Sequence, residues 1–347
     1  MRRLPIFFVL DCSESMAGDK LQKMRDGLQA IVQSLRADPH ALETAYLSVL
    51  AFAGIAKVIA PLVELPSFYP PRLPLGGGTN LGAALDALTT EIDKSVVKTT
   101  AEHKGDWRPI VYLFTDGHPT DEPAAAVERW IKRFGGKITL IAVTIGKRED
   151  VAPVLNRLTE HVILFEERKE GDFSKFVKWV TASVVAQSKS VNEGKNADGL
   201  PILDESVMHV VKDAPPKADD SCIALTGRCQ QTRKPYLIKY EKKVSELRGE
   251  NMRIDLPMHH LTGCYPLDED YFEWSGGMGT TQQINTSSLV GAPGCPHCGN
   301  IVAFAVCNCG KLMCLSEPGR AHCPWCGHDV VFGPASGGDF DVARGMG

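Results

Sequence analysis

Continuous runs of apolar residues mark candidate strands in the first half of the chain. Buried strands of parallel sheets have this pattern because both faces of the sheet are covered. The predicted strands are IFFVL (6–10), AYLSVLAF (45–52), KVIAPLVEL (57–65), PIVYLF (109–114), KITLIAVTI (137–145) and HVILF (161–165).

Between these runs, apolar residues recur every three or four positions, which is typical of helices with one buried stripe. Four such segments are predicted, at 21–35, 81–92, 121–136 and 173–184, and the third ends at a glycine pair. Because strands alternate with helices, the sequence predicts an α/β fold for residues 1–188. We expect a doubly wound, mainly parallel sheet with helices on both faces.

The pattern changes after residue 188. Residues 189–220 are polar and contain proline and glycine, so they are predicted as a linker with one short strand near Met208. Residues 221–347 contain no long helical stripe. Short strands are predicted at CIALTGRC (222–229), PYLIKYEKK (235–243) and MRIDLPMHHL (252–261), before a cysteine-rich segment. This part is predicted to be a small β-rich domain.

Composition narrows the class of protein. The chain has 347 residues, 44% of them apolar, and a net charge of −4, which favours neither a nucleic-acid nor a membrane partner. No apolar run approaches the ~18 residues of a membrane span. The stretch after Arg3 ends at Asp11, too early for a secretory signal. We therefore expect a cytoplasmic protein, whose 11 cysteines are reduced.

Oxygen-bearing side chains lie at the ends of two predicted strands and on one glycine-rich loop before a predicted helix. The sequence DCSES carries Asp11, Ser13 and Ser15, the loop LGGGTNLG carries Thr79, and LFTDGHPTD carries Asp116. Open α/β sheets bind ligands beyond the carboxyl ends of their strands. These five residues would offer only hard oxygen ligands, which suit Mg²⁺, Mn²⁺ or Ca²⁺.

The same motifs are compatible with a helix cap or a phosphate-binding loop. Ser13 or Ser15 could cap the helix that starts near Asp19. The glycines at 76–78 could cradle a phosphate, but no lysine follows them as a P-loop requires.

Three neighbouring residues are given structural roles. Cys12 is predicted as a small buried residue, His118 as a solvated loop histidine, and Asp121 as the N-cap of the following helix. A metal with two aspartates could also activate water for hydrolysis. However, the sequence contains neither a carboxylate and histidine pair at usable spacing nor a nucleophile elbow, so an enzyme is not expected.

The five oxygen-bearing positions resemble the metal-ion-dependent adhesion site of von Willebrand factor A domains. The pattern D-x-S-x-S, then a threonine, then an aspartate at a later strand end is matched at all five positions, with no departure. The resemblance implies that Ser13 and Ser15 ligate the metal directly, and that Thr79 binds it directly or through water. The two aspartates would act largely through water, and an acidic residue of a protein partner would fill the open position.

A second metal site is indicated by seven cysteines within residues 295–326. CPHCG (295–299) and CPWCG (323–327) have the form of zinc knuckles, in which turn amides approach the thiolates. A redox C-x-x-C is the alternative, but a single dithiol does not come as a pair that brackets three more cysteines.

Two zinc ions are predicted for this segment, and a single zinc ribbon is the alternative. A single ribbon would use only the two knuckles and leave Cys307, Cys309 and Cys314 idle. Two tetrahedral sites need eight ligands, so one histidine would join the seven cysteines. A sequential division gives Cys295, Cys298, Cys307 and Cys309 to one ion. It gives Cys314, Cys323, Cys326 and a histidine, His322 in preference to His328, to the other.

The order of these parts resembles the TerY family of bacterial tellurite-resistance proteins, over essentially the whole chain. The resemblance implies a metal-binding C-terminal domain. It also implies an adaptor that works with a protein kinase and a metal-dependent Ser/Thr phosphatase in a stress response.

Two weaker patterns remain. The residues Cys222, Cys229, His259, His260 and Cys264 are irregularly spaced, so they are predicted to be free, partly buried side chains rather than a further zinc site. Residues 228–253 contain eight basic and three acidic residues. A nucleic-acid-binding zinc-ribbon regulator is therefore the alternative function, although a solvated face is the simpler interpretation.

Overall fold

The computed structural model describes residues 2–116, 118–146, 151–167, 169, 171–192, 200–212, 222–248, 253–277, 282–333 and 339–344. The chain forms two compact units. The first consists of residues 1–12, 19–74 and 79–218, and the second of residues 13–18, 75–78 and 219–347. Two short segments of the N-terminal half therefore belong to the second unit.

The first unit alternates strands and helices. Its strands are β1 (Leu4–Asp11), β2 (Ala45–Phe52), β3 (Ala56–Glu64), β4 (Ile110–Thr115), β5 (Thr139–Ile145), β6 (Val162–Phe165) and β7 (Met208–Val210). Its helices are α1 (Asp19–Arg36), α2 (Pro39–Thr44), α3 (Leu81–Ser95), α4 (Ala124–Phe134), α5 (Pro153–Leu158) and α6 (Asp172–Asn192).

The strands form one sheet in the order β3-β2-β1-β4-β5-β6-β7. The central pairs are parallel, and only the edge strands β3 and β7 run antiparallel to their neighbours. The crossover helices explain this arrangement, because parallel neighbours require a long connection. The predicted mainly parallel α/β fold is confirmed.

Both faces of this sheet are covered. On one face, Phe7 and Val9 belong to a core that also contains residues of α3, α4 and α5. On the other face, the ring of Phe8 stacks on that of Tyr112, and the Tyr112 hydroxyl is hydrogen-bonded to Ser183 of α6. Consecutive strand residues point to opposite faces, so β1 needs apolar side chains at every position before Asp11.

The second unit is rich in strands. They are β8 (Cys222–Arg228), β9 (Pro235–Arg248), β10 (Arg253–Pro266), β11 (Gln283–Asn285), β12 (Leu289–Val290), β13 (Val302–Val306), β14 (Leu312–Leu315), β15 (Gly319–His322), β16 (Asp329–Phe332) and β17 (Asp341–Ala343). One short helix, α7 (Asp270–Trp274), follows β10. Six strands form a sheet in the order β12-β10-β9-β8-β14-β13, and β11-β17 and β15-β16 form two-stranded sheets.

The structure adds to the predicted elements. The helices α2 and α5 are short and were not predicted, and α6 continues to Asn192, into the predicted linker. The strand β7 also lies in the predicted linker, where it pairs with β6. Residues 193–199 and 213–220 of that linker lie outside the described residues. Within the described part of the chain, no helix is both long and apolar enough to cross a membrane.

Candidate metal centres

Two buried carboxylates lie at the ends of neighbouring strands in the first unit. Asp11 ends β1 and is fully buried, and Asp116, which is 5% exposed, directly follows β4, the parallel neighbour of β1. The Thr115 hydroxyl donates to Asp11 Oδ2 at 2.7 Å, and Lys20 Nζ donates to Asp116 Oδ2 at 2.6 Å. A buried carboxylate needs such donors or a counter-charge, and Lys20 supplies a cation at this edge.

Thr79 is attached to the loop that follows Asp116. It is 4% exposed and lies just before α3. Its amide donates to Thr120 Oγ1 at 2.8 Å, and the Thr120 amide donates to the Thr79 carbonyl oxygen at 3.0 Å. These two bonds join the glycine-rich loop to the segment after β4. Gly117, between Asp116 and that segment, lies outside the described residues.

Ser13 and Ser15 belong to the second unit. Both are buried, and their Oγ atoms are 2.9 Å apart. A short 3₁₀ turn runs from Glu14 to Met16, and the Ser13 side chain makes no hydrogen bond that caps it. This geometry places the two hydroxyl oxygens side by side.

Two of the structural roles predicted for neighbouring residues are wrong. The carboxylate of Asp121 accepts from the amides of Leu81 and Gly82, at 3.0 and 2.8 Å, so it caps α3 rather than the helix that follows it. His118 is half-buried, and its Nε2 has no hydrogen-bond partner among the described residues, so it is not a solvated histidine. The prediction for Cys12 is confirmed, since it is fully buried.

The first cysteine cluster joins residues that are far apart in the sequence. Its members are Cys229, Cys295, Cys298 and Cys314, whose sulfur atoms all lie within 4.8 Å of one another. The Sγ atoms of Cys298 and Cys314 are 3.7 Å apart. A tetrahedral zinc with four Zn–S bonds of about 2.3 Å separates its sulfurs by about 3.8 Å. The cluster therefore has the size that zinc requires.

The second cluster consists of Cys307, Cys309, Cys323 and Cys326, again with all sulfurs within 4.8 Å. The Cys307 and Cys326 sulfurs are 3.7 Å apart, and those of Cys309 and Cys323 are 3.9 Å apart. A disulfide would need about 2.05 Å. All 11 cysteines lie among the described residues, and none of them forms a disulfide.

The two knuckle turns have the same backbone geometry. The Gly299 amide donates to the Cys295 carbonyl oxygen at 3.0 Å, and Gly327 donates to Cys323 in the same way at 3.0 Å. Both glycines have a positive φ, 75° and 76°, which a side chain would disfavour. Burial opposes the Cys323 thiolate, but turn amides outweigh it and lower the pKa of that thiol. The predicted approach of turn amides to a knuckle thiolate is present here.

The prediction that Cys229 is a free, partly buried side chain is wrong, because it is fully buried and lies in the first cysteine cluster. Burial opposes its thiolate, but hydrogen bonds from the hydroxyl and amide of Thr232 and from the amide of Gln231 outweigh that effect and lower its pKa to about 6. The Thr232 amide approaches the sulfur at 3.4 Å. A single cysteine at the end of a strand, before a polar turn, is a weak sequence signal for a metal ligand. The stronger signal was the odd number of cysteines in residues 295–326, because seven is one fewer than two four-ligand sites require.

The sequential division of ligands is wrong. The knuckle Cys295–Cys298 is grouped with Cys229 and Cys314 rather than with Cys307 and Cys309.

His322 belongs to neither cysteine cluster. Its side chain is 52% exposed, and its Nδ1 lies 3.2 Å from Asp329 Oδ1 on the paired strand. Consecutive residues of an extended chain point to opposite sides, so His322 faces outward where Cys323 faces inward. His328 is not a cluster member either, and its amide and ring lower the pKa of the Cys326 thiol by hydrogen bonding.

The fold and the strand-end residues define a von Willebrand factor A protein with a cysteine-rich C-terminal domain. The family model of the von Willebrand factor type A domain matches residues 6–178, and that of the TerY-C metal binding domain matches residues 219–347. The chain belongs to the TerY family of von Willebrand factor A proteins. Metal binding by its C-terminal domain follows from that membership and from the two sulfur clusters.

Similar solved structures have low sequence identity to this chain. A von Willebrand factor type A protein from Catenulispora acidiphila is 18% identical, covering 82% of this chain and 60% of that one, with a TM-score of 0.42. Proximal thread matrix protein 1 from the mussel byssus, with a zinc-occupied adhesion-site motif, is 19% identical, covering 53% and 48%, with a TM-score of 0.37. This chain thus spans less than two thirds of either. No curated protein matches it.

Proposed function

We propose that the chain is a non-enzymatic, metal-dependent adaptor that binds another protein. Asp11, Ser13, Ser15, Thr79 and Asp116 would hold Mg²⁺, Mn²⁺ or Ca²⁺, and a partner's acidic side chain would complete the metal's coordination. The observation that carries the proposal is the pair of buried carboxylates at the ends of β1 and β4.

The chemistry of the donors supports this choice of metal. All five residues offer oxygen and none offers sulfur or nitrogen, which suits hard divalent cations. The Lys20 ammonium on Asp116 indicates that this edge of the sheet already accommodates a positive charge. Few direct anionic ligands leave a bound cation attractive to an incoming carboxylate.

We propose zinc for the two cysteine clusters, one ion in each, as structural rather than catalytic sites. Four thiolates complete a tetrahedron and leave no open position for substrate. Reduced thiols and zinc clusters fit the cytoplasm, where we place the protein. The adaptor would serve a tellurite-resistance or stress-response system, with a protein kinase or a metal-dependent Ser/Thr phosphatase as its partner, as the family resemblance implies.

The alternative of a nucleic-acid-binding surface is weakened by two of the basic residues between 228 and 253. Lys239 is 3% exposed, and Arg228 forms a two-pronged ion pair with Glu269 at 2.7 and 2.8 Å. Neither is available to contact phosphates.

The test is affinity capture from native lysate by the wild-type chain and by Asp11→Asn. Asparagine keeps an acceptor for Thr115 but removes the charge, so the fold should persist. We expect a kinase or phosphatase to be retained by the wild type with Mg²⁺ and lost with EDTA or in the variant. Asp26→Asn, at an exposed carboxylate of α1, is the matched control. The adhesion-site proposal is overturned if Asp11→Asn captures the partner as well as the wild type does in Mg²⁺, and if EDTA does not reduce capture by the wild type.

A further inference from the structure

A buried lysine holds the backbone of the DCSES turn within the second unit. Lys239 of β9 is 3% exposed, and its Nζ donates to the carbonyl oxygens of Ser15 at 2.7 Å and Ala17 at 3.3 Å. Glu241 lies 3.2 Å from the same nitrogen. A buried ammonium is stable only when its three donors are satisfied, so Lys239 is committed to this turn.

A tyrosine holds the same turn through a side chain. Glu14, the residue between the two serines, is fully buried, and the Tyr271 hydroxyl donates to its carboxylate. Burial and the negative charge of Glu14 raise the pKa of Tyr271 well above its usual value. The hydroxyl therefore stays protonated and remains a donor at any physiological pH.

Close packing also fixes the position of residues 13–18 in the second unit. Ala17 lies in an apolar cluster with residues of β8 and β9 and with Tyr271. Gly18 has a φ of +88°, and a Cβ there would lie 2.6 Å from the Tyr265 hydroxyl. The Gly77 amide donates to Ser275 Oγ at 2.8 Å, so a part of the glycine-rich loop is held in the same unit.

We propose that Lys239 and Tyr271 are positioning residues for the Ser13 and Ser15 hydroxyls, and so set the affinity with which these two hydroxyls bind a divalent cation. This inference rests on the proposed function of those hydroxyls as ligands. Their oxygens, 2.9 Å apart, must keep a fixed separation to share one cation. Groups that orient metal ligands commonly change the affinity by about 10- to 100-fold when they are removed.

The sign of the effect separates positioning from electrostatics. A nearby ammonium repels a metal cation, so its removal would strengthen metal binding if charge alone mattered. If Lys239 acts by fixing the turn, its removal weakens binding instead. The variant Lys239→Met keeps the length of the side chain and removes only the charged donor.

The experiment is a Mn²⁺ titration, followed by electron paramagnetic resonance, of the zinc-loaded full chain. We expect Lys239→Met and Tyr271→Phe each to weaken Mn²⁺ binding by about 10- to 100-fold. Lys243→Met, at an exposed lysine of the same strand, and Tyr240→Phe, whose hydroxyl bonds elsewhere, should bind as the wild type does. Zinc content should stay unchanged in all four, which a general loss of structure would not allow.

A conservative pair gives a second measure. Glu14→Gln keeps an acceptor for the Tyr271 hydroxyl and should retain most of the Mn²⁺ affinity, whereas Glu14→Leu should lose it.

If Lys239→Met does not fold, Tyr271→Phe, which keeps its buried ring, carries the test. Unchanged or tighter Mn²⁺ binding by the folded variants would overturn the positioning role alone. Failure of the wild type to bind Mn²⁺, or equal binding by Asp11→Asn, would instead overturn the proposed function.

Discussion

Replacing Cys229 with serine tests the composition of the first cysteine cluster. The sulfur of Cys229 lies within 4.8 Å of those of Cys295, Cys298 and Cys314. Cys229 is also fully buried, in the apolar core of the second unit that contains Cys295 and Cys314 and against which Cys298 packs. Serine keeps the size of the side chain but offers a weaker ligand for zinc. The remaining three thiolates would hold the ion less tightly.

The size of the effect follows from the binding energy of a four-ligand site. Structural zinc sites bind with about 10–16 kcal/mol, or about 2.5–4 kcal/mol for each of four ligands. Because each 1.4 kcal/mol is tenfold, losing one thiolate should weaken zinc binding by about two to three orders of magnitude. The second cluster shares no ligand with the first and should keep its ion.

Zinc content by mass spectrometry and competition with a chromogenic chelator measure the outcome. We expect two zinc ions per wild-type chain and one tightly held ion in Cys229→Ser. Cys222→Ser is the matched control, since it changes a buried cysteine of β8, the strand before Cys229, that belongs to neither cluster. Two tightly held ions in Cys229→Ser, together with a freely reactive Cys229 thiol in the zinc-loaded wild type, would refute the grouping.

Three further predictions concern other parts of the molecule. Lys20→Met should strengthen divalent-cation binding by about fivefold or less, because the ammonium no longer competes with the cation for Asp116 and a partly exposed ion pair is worth about 1 kcal/mol. Calorimetry measures the binding, and Lys23→Met, which removes another ion-paired lysine of α1, is the control. Thr144→Val should raise the free energy of unfolding in urea by about 1 kcal/mol, since its buried hydroxyl has no partner among the described residues. Stripping zinc with a chelator should speed amide hydrogen exchange in β13–β16 but not in β1, β4 and β5, because the cysteines are part of the second unit's cores.

The sequence predicted the first sheet well because the pattern of its strands is compatible with few other structures. The stretch 45–52 coincides with β2, and continuous apolar runs exclude both loops and half-exposed strands there. The strand-end motif was found for a related reason. Three of its members fall within five residues, so one local pattern carries most of the site's chemistry.

The ligand groups of the second unit were harder to predict because they depend on sheet topology. The strand β14 pairs with β8, which brings Cys314 to the end of the strand that precedes Cys229. Parallel pairing of strands so distant in sequence leaves no local signal. A sequential division of ligands assumes that neighbours in sequence share an ion, and the strand order of this sheet does not obey that rule.

Donor chemistry separates the two kinds of metal site. The strand-end residues offer oxygen alone, while each cysteine cluster offers four sulfurs. Zinc strongly prefers thiolates, and Mg²⁺ strongly prefers oxygen, so each ion is directed to its own site by ligand type rather than by cavity size. The turn that carries Ser13 and Ser15 is part of the same compact unit as both clusters. We therefore expect zinc to act on the oxygen site only through the stability of that unit. Loss of zinc should weaken Mn²⁺ binding, whereas loss of Mn²⁺ should leave zinc in place.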